Sequence, residues 1–168
     1  MKKIVTMFFI AIVSSQCFSS SFISKAFNVS SDINKNDFFS NTAKILLSEN
    51  YLTLDFDKKT GAFFSKEITM SIKTDIPNSS NINKYKIIMS DNESSCYDVD
   101  DNIVFNDISI VSIDGNRLDK YDELYFTEFN GSGEYKESTH NLNLSFKKLP
   151  NSVYKCKGSS LFTMEFDI

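Results

Sequence analysis

"AFNVSSDI", residues Ala26 to Ile33, alternates apolar and polar positions and is followed by no hairpin signal. In an extended chain, Phe27, Val29 and Ile33 share one face, and Asn28, Ser30 and Asp32 the other. The fold turns on where such a strand finds its partner. A strand tied down by a tight turn pairs with its sequence neighbour. This one has no such tie.

What precedes it has the layout of a secretion leader. Lys2 and Lys3 give a basic start, Ile4 to Val13 a short apolar run, and small residues follow, with cleavage expected between Ser19 and Ser21. The apolar run is too short for a stable membrane span. Cys17 follows Gln16, where a lipoprotein signal wants a small residue. The sequence therefore divides into a cleaved leader at 1–20, an N-terminal strand segment at 21–33 and one domain at 34–168.

Two cysteines, Cys96 and Cys156, lie beyond the leader. In an oxidising compartment they read as one disulfide, the alternative being two buried free thiols. Net charge is −4, with a single arginine, Arg117. A nucleic-acid surface needs clustered Lys and Arg, so no nucleic-acid partner is expected.

After the leader, period-two alternation dominates and helical periodicity is nearly absent. "YLTLDFD" puts Leu52, Leu54 and Phe56 on one face, and "DKKTG" makes a turn at Gly61. "FFSKEITMSIKTDI" aligns Phe64, Ile68, Met70, Ile72 and Thr74, with a kink expected at Lys66. "NKYKIIMSD" aligns Tyr85, Ile87 and Met89, and "DNESSCYDVDDN" reads as a polar loop containing Cys96. Ile108 and Ile110 precede an Asp114-Gly115 hairpin signal, and "DELYFTEF" is a short strand. "HNLNLSFKKL" aligns Leu142, Leu144 and Phe146; "SLFTMEFDI" aligns Phe162, Met164, Phe166 and Ile168. "NTAKILLSE" fits either a short helix or a turn. Seven or eight strands predict an all-β, immunoglobulin-like sandwich.

The two ends stand out together. A sandwich covers its core-facing edge strands with neighbours. Here an apolar-faced strand closes the sequence, and an untethered strand opens it.

This arrangement resembles the chaperone–usher pilins, and more narrowly the alternate-class major pilins of the colonisation factor antigen I type. The N-terminal strand after the leader, the link "DINKNDFF", the run "LTLDFDKKTGAFFSKEITMSIKTDI", the strand "KYKIIMSD" and the ending "YKCKGSSLFTMEFDI" carry the resemblance. The cysteine pair, the acidic 94–106 segment and Asp167 at the penultimate position depart from it. The resemblance implies an incomplete sandwich completed by donor-strand exchange, a mode of strand addition at an open sheet edge. It assigns Phe27, Val29, Ser31 and Ile33 to the donor strand, with Ile23 a further member, and Phe162, Met164 and Phe166 to the acceptor groove. It makes Asp32 to Asp37 the hinge between subunits. It implies copies of itself or related pilins, a periplasmic chaperone, an outer-membrane usher and a host receptor as partners. The route is export through the periplasm to a cell-surface fimbria. The competing reading is a self-contained secreted β-sandwich adhesin or binding module, with Ala26–Ile33 pairing inside its own chain.

Residues that could carry chemistry read as structural. His140 is the sole histidine, with no nucleophile or acid motif beside it. Asp98, Asp100, Asp101 and Asn102 do not follow the order of a calcium loop. "GSG" at 131–133 lacks the Lys-Ser/Thr of a phosphate loop. Tyr121, Tyr125, Phe126 and Phe129 read as core rather than as a binding patch. No catalytic residue, metal ligand or cofactor is expected.

Overall fold

In the computed structural model, the described residues are 26–31, as backbone course, and 42–167. The leader, Ile23, Ile33, Ile168 and the 32–41 link lie outside them.

Among the described residues, thirteen strands alternate with turns: β1 (Ala26–Ser31), β2 (Ala43–Leu47), β3 (Tyr51–Thr53), β4 (Phe56–Asp57), β5 (Ala62–Phe63), β6 (Lys66–Pro77) and β7 (Lys84–Tyr97), then β8 (Ile103–Asn106), β9 (Ser109–Ile113), β10 (Asn116–Leu118), β11 (Glu123–Phe126), β12 (Tyr135–Phe146) and β13 (Lys155–Asp167). One sheet runs β11-β7-β13-β1-β3, with β8 also on β7; the other runs β10-β9-β12-β6-β2. The two pack as a sandwich, so each strand contributes alternate residues to one shared core. The expected all-β, immunoglobulin-like architecture is what the chain adopts.

The strongest alternation in the sequence makes the centre of that core. Tyr85, Ile87 and Met89 from β7 meet Leu142 and Leu144 from β12, Ile68, Met70 and Ile72 from β6, and Phe162 and Met164 from β13. All are essentially inaccessible to solvent. "NTAKILLSE" resolves to β2, which pairs with β6 from Ala43↔Thr74 to Leu47↔Met70.

Four expectations need correction. The segment read as a loop around Cys96 is strand: β7 continues to Tyr97, and only 98–102 turns. Its polar side chains misled because several point into the sandwich, where Ser94 is buried and hydrogen-bonded. Of Ile108 and Ile110, read as members of one strand, Ile108 falls outside the strand and is buried, while Ile110 lies within it and is only partly buried. Ile108 lies in the connection from β8 to β9, where Asp107 has a positive φ of 53°, and the buried set in β9 is Ser109, Val111 and Ile113. Phe64 is exposed while Phe63 is buried, because the β4–β5 hairpin turns the chain before β6 starts at Lys66. The aromatic run splits: Phe126 and Phe129 pack against the core, and Tyr121 and Tyr125 face solvent.

The sandwich has two distinguishable ends. At one lie the β4–β5 turn, the 147–154 connection and the Cys96–Cys156 bridge, linked by Leu149 N–H donating to Gly61 O and Tyr154 N–H to Tyr97 O. At the other lie the starts of β2, β7 and β12 and the end of β13, where Asp167 pairs with Lys84.

Candidate functional site

The candidate site is the slot between β3 and β13. These strands do not pair with each other; β1 bridges them. On one side β1 runs parallel to β13, with Phe27 opposite Gly158, Val29 opposite Ser160 and Ser31 opposite Phe162. On the other it runs antiparallel to β3, with Ala26 opposite Thr53, Phe27 opposite Leu52 and Asn28 opposite Tyr51. The β1–β13 pair is the one parallel ladder among the described strands. Residues Val29, Ser30 and Ser31 pair on the β13 side only. Taking β1 away would leave two unpaired backbone edges beside a buried core, the condition that invites strand addition.

The flanks of the slot are rigid for identifiable reasons. Cys96 and Cys156 face each other in the β7–β13 register and are bonded, closing a sequence separation of 60 residues. Above the bridge, Asn92 Oδ1 accepts hydrogen bonds from Ser160 Oγ at 2.8 Å and Ser109 Oγ at 2.9 Å. Ser94 Oγ accepts from the backbone N–H of Ile108 and Ser109. These groups join β7 and β13 to β9 across the sandwich, and each buried hydroxyl has its partner, as burial requires. On the outer face, Lys86 is held between Glu123 at 2.8 Å and Glu165 at 3.1 Å, and these carboxylates push its pKa up. That pair of contacts straps β11, β7 and β13 side by side.

Of the residues assigned to the acceptor groove, Phe162 and Met164 are buried and Phe166 is partly buried against the same core. They share one face of β13. Of the donor residues, Phe27, Val29 and Ser31 lie in β1 beside that strand, and Ile33 lies outside the described residues.

One feature escaped the sequence reading. His140 is buried mid-strand, its Nδ1 2.6 Å from Asp114 Oδ2 and its Nε2 2.7 Å from Tyr85 OH. In the tautomer with the proton on Nδ1, Nδ1–H donates to the carboxylate and Nε2 accepts the phenol proton. Burial pushes Tyr85 up to about 12. The phenol ring stacks on Phe126 at 4.8 Å and packs on Phe129 at 4.6 Å. The trio pins β7 to β12 across the core. Its only advance signal was that His140 shares strand parity with Leu142 and Leu144. The acidic 98–102 turn has its own partners: Asp98 Oδ1 accepts from the N–H groups of Asp100 and Asn102, and Asp101 pairs with Lys155 of β13.

No family profile matches the chain, and no curated protein does. Six solved chains match it in structure. One is the CooA pilin subunit from enterotoxigenic Escherichia coli, 14% identical, covering 73% of this chain and 96% of that one, with a TM-score of 0.47. The chain is similar to a pilin. The likeness is one of chain course, at an identity too low to transfer residue roles.

Proposed function

We propose that the chain is a structural subunit of a surface fimbria, exported through the periplasm and polymerised by exchange of its N-terminal strand. The observation that carries this reading is the position of β1. Among the described strands it alone bridges β3 and β13, it has no hairpin to either, and it runs parallel to β13 where the other ladders are antiparallel. Phe27, Val29, Ser31 and Ile33 are the donor series in this reading, and the face of β13 carrying Phe162, Met164 and Phe166 backs the receiving slot. Three apolar side chains at about 1.5–3 kcal/mol each would supply roughly 5–9 kcal/mol of gross binding.

Topology bears on the polarity of exchange in this reading. The link after β1 leads to Thr42, at the end of the sandwich remote from the disulfide. A strand inserted parallel in a neighbour's slot would bring the two remote ends together, and the reciprocal exchange would close a dimer. A strand inserted antiparallel sets one copy's remote end against the other's disulfide end, which repeats without closing. A fibre therefore needs antiparallel insertion, a reversal of the arrangement within the single chain. A periplasmic chaperone that holds the slot open, and an usher that orders the exchange, fit this requirement.

A second reading, a self-contained adhesin, is favoured by the same strand lying in its own slot. The two separate cleanly. Deleting 21–33, or replacing Val29→Asp, should abolish fibres on cells carrying the assembly genes while leaving the chaperone complex intact. Normal fibres from either variant would sink the exchange reading. A self-contained module should instead fold as a stable monomer when expressed alone, and its binding should survive loss of assembly.

A further inference from the structure

Beside the slot, at the disulfide end, lies a cavity of about 510 Å³ that mixes an apolar wall with cations. Phe56, Leu149, Pro150 and Val153 form the wall; Lys58, Lys59 and Lys148 stand around it. Its place follows from the strands bounding the slot. β3 ends at Thr53 and its chain runs on to Phe56; β13 begins at Lys155 and its chain comes from Val153. The cavity is thus lined by the connections that continue the two strands bounding the slot, at the end where the slot opens beside the disulfide. Gly61 holds a φ of 72°, and a Cβ there would come within 3.3 Å of Lys148 Cε, so the absent side chain leaves room for the lysine. Among the described residues, none of the ion pairs involves Lys58, Lys59 or Lys148. The neighbouring carboxylate, Asp57, is turned into its own loop, accepting from Lys59 N–H and Thr60 Oγ1. Those hydrogen bonds lower its pKa.

We infer that this cavity seats the Asp37–Phe38–Phe39 stretch of a second copy. The inference rests on the strand-exchange reading. A strand inserted antiparallel leaves the slot at this end, and Asp37 comes four residues after Ile33, a span of about 13 Å in extended chain. The stretch carries one carboxylate followed by two phenyl groups, matching in kind a cavity of lysines and apolar wall. The link is then a contact surface that fixes one subunit against the next as well as a tether. It also discriminates polarity: a strand inserted parallel sends its link to the opposite end, where this cavity is out of reach.

The test uses the full mature chain held by its periplasmic chaperone, so that the slot is open, and two peptides, Ala26–Ile33 and Ala26–Asn41, with binding followed by fluorescence anisotropy. The longer peptide should bind roughly tenfold tighter or better at low salt, as partial burial of two phenyl groups implies. The advantage should shrink with added salt. It should vanish when the peptide carries Asp37→Lys with Phe38→Ala and Phe39→Ala, changes that leave the protein untouched. On a Lys58→Glu, Lys59→Glu, Lys148→Glu protein the short peptide should bind as before and the long one no better. Equal affinity of both peptides for the unaltered chain overturns the inference while sparing strand exchange. Failure of both to bind overturns strand exchange and the inference with it.

Discussion

Replacing both bonded cysteines, Cys96→Ala with Cys156→Ala, should cost about 4 kcal/mol. The bridge closes 60 residues of sequence, and in the chain-entropy account a loop of that size removes close to 14 cal/mol/K from the unfolded ensemble, or about 4 kcal/mol at room temperature. Cys96 is fully buried, so losing two sulfur atoms adds a small void and up to about 1 kcal/mol more. The native register should not move, because β7 and β13 are paired along their whole length around the bridge. The assay is equilibrium unfolding in urea. With a slope of about 2 kcal/mol/M for a domain of this size, the midpoint should fall by roughly 2 M. A shift below about 0.5 M at unchanged slope would refute the reasoning. It would mean that the unfolded chain already holds these strands together.

Three further outcomes follow from the packing and hydrogen bonding. Tyr85→Phe leaves His140 Nε2 buried without its partner and should destabilise by about 1–3 kcal/mol, read in the same urea assay. Tyr85 holds its proton up to about 12, against about 10 when unfolded; spectrophotometric titration should show one tyrosine lagging the others. Because the raised value belongs to the folded state, that contribution to stability is intact below pH 10 and is lost as pH rises towards 12. Gly131→Ala places a Cβ 2.9 Å from Glu137 backbone oxygen and should cost about 1–3 kcal/mol by thermal or urea unfolding.

The strands legible in the sequence are those whose inward residues are all apolar. Tyr85, Ile87 and Met89, and likewise Leu142 and Leu144, announce their face by parity alone. The upper half of β7 was hidden because its inward groups are Asn92 and Ser94, which satisfy one another with Ser109 and Ser160 in pairs formed only after folding. Parity also fails where the chain crosses from one sheet to the other, as it does between β8 and β9, where Ile108 is buried from a connection rather than from a strand. For the site, the two halves were visible as patterns at opposite ends of the sequence. The register that sets Val29 beside Ser160 was not, because no local signal specifies a parallel pairing over more than a hundred residues. The cavity beside the slot was out of reach for the same reason: it joins the 56–61 turn to the 148–153 connection.

The central claim is that the slot between β3 and β13 receives the strand of another copy in the assembled fibre. A photo-crosslinking side chain in place of Val29 tests it directly. Isotopically heavy and light chains carrying it would be co-assembled, irradiated and digested, and the peptides joining 26–31 to β13 weighed. Strand exchange predicts that heavy–light pairs are as abundant as pairs of like mass. If only heavy–heavy and light–light pairs are found, β1 stays in its own chain and the claim is contradicted.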